Sequence, residues 1–166
     1  ADEGIAEAQN NIGFLYQNGF GVKRNYNTAI KWYQRAADQS LAEAEHNLGV
    51  LNYWGWGVSQ NFGIARRWFN KSAEKGLKES HYMIGLMFFK GEGTQASIPR
   101  ASAHFFEAAK LGDPNSQYML EHMITSGDVE SNFKRKNELS SPFDFEFLKL
   151  HLSQLSNLEL QPLHIL

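Results

Sequence analysis

Apolar and polar positions alternate with a helical period at the start of the chain. Ala8, Ile12, Leu15 and Tyr16 share one face of a helix predicted over roughly Ile5–Tyr16. Gln17–Asn25 then carries Gly19 and Gly21, residues suited to positive-φ turns. A second helix is predicted over about Tyr26–Gln39, with Ala29, Trp32, Tyr33, Ala36 and Ala37 on its apolar side. It ends near Ser40, whose equivalents Gly76 and Gly112 are natural helix terminators. The whole pattern returns at a shift of 36 residues, which takes Gly13 to Gly49 and Gly85 and Gly21 to Gly57 and Gly93. It also takes Gly19 to Gly55, Gly91 and Gly127, and Tyr33 to Phe69 and Phe105. Trp32 becomes Trp68 and His104, while Ala29 and Ala37 recur as alanines. Strand signals are absent. A helix pair that recurs at this period predicts an all-α fold, a right-handed α-α superhelix (solenoid) of antiparallel helix pairs.

Ile12–Val22 (IGFLYQNGFGV) and Leu48–Val58 (LGVLNYWGWGV), each followed by an Ala/Trp helix, resemble the Sel-one-like repeat family, a relative of tetratricopeptide repeats. The resemblance covers about residues 1–128. It implies a protein–protein interaction scaffold or adaptor, with membrane-associated degradation machinery and secreted or periplasmic bacterial proteins, effectors among them, as the family's settings. Asn52, Thr94 and His104 depart from the family pattern, as does Glu121 in the column of Gly13.

The expected organisation is a repeat array over 1–128, with a partial helix at 1–4, three full repeats and a degenerate fourth. Ala1 falls in the column of Ala37, Ala73 and Ala109, so the chain is expected to be an excised piece of a longer array. In 129–166, polar Val129–Ser140 with Lys134, Arg135 and Lys136 reads as a solvated loop. Ser141-Pro142 opens a terminal helix to Ser156, with Phe145, Leu148, Leu152 and Leu155 on one side. That helix either caps the array or docks a partner. The apolar tail Leu158–Leu166 is expected to pack on its own chain or another.

Composition narrows the function. The 166 residues carry a net charge of −2 and include no cysteine. This excludes disulfide scaffolds, thiolate metal sites and cysteine nucleophiles, and it leaves the compartment open. Mean hydropathy is −0.45 and no apolar run approaches the ~18 residues of a membrane span. A pI near 6.3 argues against a nucleic-acid partner. The six histidines (46, 81, 104, 122, 151 and 164) show no metal-binding spacing, and His104, in a tryptophan column, reads as a packed aromatic. Ser72-Ala-Glu-Lys75 matches the SxxK of penicillin-recognising hydrolases and Ser59-Gln-Asn61 their SxN. No KTG follows, however, and Ser72 falls in the small-residue column of Ala36 and Ala108. The Gly-x-Gly pairs lack a third glycine and a preceding strand. Glu43 and Glu45, at i and i+2, point apart on a helix. Asn70-Lys-Ser72 is a glycosylation sequon inside a predicted helix. No enzyme, cofactor or metal emerges.

The surface expected to bind is the concave face lined by the first helices. Its columns are Glu7, Asn10, Phe14 and Gln17; Glu43, His46, Val50 and Tyr53; Glu79, Tyr82, Leu86 and Phe89; and Asn115, Tyr118, His122 and Thr125. Unlike the packing columns, they differ between copies. Rigid aromatics beside polar groups suit a hot spot, so a peptide or helix is expected against Asn10, Phe14, Gln17, His46, Tyr53, Tyr82, Phe89, Tyr118 and His122. Phe14, Leu86 and the three tyrosines are alternatively inter-repeat core. Trp54, with Trp56, is either a packed local cluster or a second binding patch. The other reading of the chain is a self-assembling module that docks through its repeat ends or its tail.

Overall fold

The computed structural model describes residues 3–126. Among these residues seven helices follow one another: α1 (Glu3–Asn18), α2 (Tyr26–Asp38), α3 (Ala42–Trp54), α4 (Phe62–Glu74), α5 (Lys78–Lys90), α6 (Ile98–Lys110) and α7 (Pro114–Thr125). No strand occurs among the described residues. The first turn of α1 holds Glu3 and Gly4, expected at the end of a preceding helix. Ala1, Asp2, Gly127 and the expected terminal helix and tail lie outside the described residues.

Odd and even helices pair closely within a repeat (α1/α2, α3/α4, α5/α6), and each pair meets the next through α2/α3, α4/α5 and α6/α7. The close approach within pairs comes from glycine. A Cβ on Gly49 would stand 2.6 Å from the Phe69 ring, and Gly13 and Gly85 stand in the same relation to Tyr33 and Phe105. All three rings are fully buried. Leu48, Leu51, Ile84, Met87, Leu120 and Met123 fill the spaces between successive pairs.

The turns lock repeats together. Gly55 and Gly91 close α3 and α5 in the left-handed conformation, with φ of 71° and 77°. Two residues later a second positive-φ glycine rests on the preceding repeat. A Cβ on Gly57 would fall 2.6 Å from Tyr26 Cβ, and one on Gly93 2.5 Å from Phe62 Cβ. A two-glycine turn is therefore a contact as well as a chain reversal. Asn25 and Asn61 begin α2 and α4 by accepting the backbone N–H of Thr28 and Ile64. Ser40 takes a φ of 66° where the later repeats use Gly76 and Gly112.

Candidate functional site

The nine residues expected on the first-helix face divide by what they touch. Phe14 is 47% exposed with its ring 5.9 Å from Phe20, and Tyr118 is 66% exposed with its ring 6.3 Å from the exposed His122. Tyr82 and Phe89 are half-buried, and Tyr82 lies against Phe105. The remaining polar members are engaged within the array. Asn10 accepts a hydrogen bond from Asn47 Nδ2 at 3.0 Å, and Gln17 accepts the Tyr33 hydroxyl at 2.8 Å.

Tyr53 stands apart from the open-face expectation. It is 3% exposed, packs against Phe62 and belongs to the inter-repeat core, and its hydroxyl donates to the Glu92 carboxylate of the next repeat. Burial first, then Glu92, pushes its phenol above the ordinary tyrosine range. Removing the hydroxyl in Tyr53→Phe is expected to cost about 1 kcal/mol in urea unfolding, the net worth of one such bond. No measurable change would show that Glu92 is satisfied elsewhere.

His46 also turns inward. Its Nδ1 lies 2.8 Å from Ser80 Oγ, and its ring is 5.3 Å from Phe69. The Ser80 hydroxyl donates to Ser72 Oγ, which donates to the Ala42 carbonyl, each at 2.8 Å. Every proton in this chain runs away from the imidazole, so His46 Nδ1 must be the donor. Burial pushes the His46 pKa down to about 4 against the opposing pull of Glu79 and Glu43, so the ring is neutral near pH 7. Ser72 and Ser80 are fully buried, and Lys75 is held 2.5 Å from the buried Glu45 carboxylate. The SxxK residues are thus tied into the interface between α3, α4 and α5. Neither serine has a base that accepts its proton.

Trp54 is both clustered and accessible. Its ring meets Tyr53 edge-on at 4.9 Å and stacks with Trp56 at 6.1 Å, and Trp56 stacks with Tyr26 at 5.7 Å. Trp54 remains 54% and Trp56 38% exposed. His104 packs as an aromatic against Phe88 with 16° between the rings, and its Nδ1 faces His81 Nδ1 at 3.2 Å. With Ala103 and Glu107 these histidines line a cavity of about 140 Å³, below the ~300 Å³ of ordinary ligand pockets. Among the described residues no group of three or more His, Cys, Asp or Glu side chains is placed to hold a metal ion. No helix there is long and apolar enough to cross a membrane.

Charge is sorted between the two helix sets, a signal that reading residues for chemistry misses. The first helices α1, α3, α5 and α7 carry Glu3, Glu7, Glu43, Glu45, Glu79 and Glu121 against Lys78 and Lys90, a formal −4. The second helices α2, α4 and α6 carry Lys31, Arg35, Arg66, Arg67, Lys71, Arg100 and Lys110 against Asp38, Glu74 and Glu107, a formal +4. Counting charge by helix rather than over the whole chain brings this out of the sequence.

Helix pairs in one 36-residue register, sealed by glycine–aromatic contacts and open along their first helices, define an α-solenoid. A model of the Sel1 repeat matches residues 6–41, 42–77 and 78–113. The chain belongs to the Sel1 repeat family, whose repeats are generally protein–protein interaction modules. It is similar to the crystal structure of a Sel1 repeat protein from Oxalobacter formigenes, with 37% identity over 68% of this chain and a TM-score of 0.64. It is also similar to c5321, a protective antigen of uropathogenic Escherichia coli with an SLR fold, with 32% identity over 76% of this chain and a TM-score of 0.72. The matches span 46% and 27% of the length of those two chains. No curated protein sequence matches the chain.

Proposed function

We propose that the chain is a non-enzymatic scaffold that holds a partner protein or peptide along the concave face of its first helices. The observation that carries this reading is the run of apolar side chains left open there. Phe14 and Tyr118 stand exposed at the two ends of the register, with half-buried Val50, Tyr82, Leu86 and Phe89 between them. Core columns repeat because each interface is the same, whereas the columns of Asn10, Phe14 and Gln17 on this face change from copy to copy, as a surface shaped by its occupant does. Both similar structures come from bacteria, which favours a bacterial effector or antigen setting over a degradation complex.

Phe14→Ser/Tyr118→Ser is the fitting test, because Phe14 is about half exposed, Tyr118 is mostly so and neither belongs to the buried core. Capture of a partner from cell extract is expected to fall by about tenfold or more while the melting temperature moves by no more than about 3 °C. Undiminished capture would move the binding surface to the Trp54/Trp56 turn. Self-association through the repeat ends is the second reading, favoured by the exposed Ile5 and Leu15 on α1 and Leu111 after α6. A sedimentation coefficient that rises with concentration would support it.

A further inference from the structure

We infer that the segment held on the first-helix face is cationic: an amphipathic stretch of a partner protein whose apolar side meets Val50, Tyr82 and Leu86 and whose lysines and arginines meet Glu7, Glu43 and Glu79. The inference rests on the groove reading above and specifies the chemistry of its occupant. The three glutamates occupy one column of the 36-residue register, three residues before Asn10, His46 and Tyr82, and so border the apolar strip. Each is exposed, and none has an ion-pair partner among the described residues. Glu43 and Glu79 lie on neighbouring repeats, yet both act on the proton of His46, so their fields overlap on the same stretch of the face.

Helix dipoles favour acidic residues in a first turn, and this accounts for Glu43 and Glu79 taken singly. It does not account for Glu7 in the second turn of α1, nor for α1 and α3 holding no lysine or arginine at all. The second helices of the same two repeats, α2 and α4, hold five. An exposed ion pair contributes ~0–1 kcal/mol, so affinity comes chiefly from the apolar strip. A row of like charges without internal partners instead speeds encounter with a cationic segment and rejects an acidic one.

The test uses the full chain and two fluorescein-labelled amphipathic peptides with identical apolar positions, one with lysine and one with glutamate at its polar positions. Fluorescence anisotropy is expected to show the lysine peptide binding at least about tenfold more tightly, with the difference shrinking as salt is raised. The variant Glu7→Gln/Glu43→Gln/Glu79→Gln is expected to weaken it by about tenfold. Asp38→Asn/Glu74→Gln/Glu107→Gln, an equal change in net charge on the second helices, is expected to shift it less than about twofold. Equal binding of the two peptides, equal effects of the two triple variants, or binding of neither peptide overturns the inference. If the glutamate peptide binds as well as the lysine peptide and both are lost in Phe14→Ser/Tyr118→Ser, the groove stands and only its charge preference falls. If neither that variant nor the glutamate variant weakens the lysine peptide, both readings fall.

Discussion

Phe69→Ala is expected to destabilise the array by about 3–5 kcal/mol, as loss of a fully buried aromatic does. Phe69 packs on Gly49 within its own repeat and against His46 on α3, so its removal opens a cavity at the centre of the described structure. The partner substitution is the sharper test because its sign opposes propensity. In a solvated helix Gly→Ala gains up to about 1 kcal/mol. Gly49→Ala is expected to lose about 1–3 kcal/mol, since the new methyl would meet the Phe69 ring at 2.6 Å. In a Phe69→Ala background the same change is expected to turn neutral or favourable. Urea unfolding of the four proteins gives the coupling directly, and stabilisation by Gly49→Ala alone would mean that the helices do not approach as closely as described.

Acidification is expected to produce the other large effect, centred on His46. Its folded-state pKa is about 4, against an ordinary value near 6.5. Below pH ~6.5 the unfolded chain takes up the proton and the folded chain does not, so stability falls with falling pH. The contribution is complete above about pH 6.5 and disappears as pH approaches 4. Over that window it amounts to about 3 kcal/mol at most. Glu43 and Glu79 on the open side pull toward protonation, while Ser80 and Phe69 enclose the ring. His104, pushed down to about 4 by burial and by His81, adds to the same slope. Unfolding midpoints at pH 7, 5.5 and 4.5 should fall steeply for the natural chain and less for His46→Gln, which cannot take up the proton. An identical slope in the variant would remove His46 as the source.

The surface proved harder to read than the core, for a physical reason. Tyr53 and Phe14 stand in neighbouring columns of the same helix face, yet one donates to Glu92 inside the array and the other faces solvent. Neither fate follows from helical spacing, because Glu92 belongs to a turn 39 residues further on. His46 and Ser80 likewise lie in different repeats, and their hydrogen bond depends on how α3 and α5 meet. The three glutamates on the face are visible in the sequence. Their weight appears only when each helix is assigned to one set or the other.

The sequence by itself determined the repeat, the helices, the turns and the buried ring columns. Those features arise from local periodicity and from an interface that each copy must form again: a glycine opposite an aromatic reports the same contact three times over. Only the tertiary structure decided which face residues are spent between repeats and which remain open. That outcome depends on single long-range pairs, such as Tyr53 with Glu92 and Asn10 with Asn47. Such pairs occur once each, and a contact that does not recur leaves no period in the chain to be read.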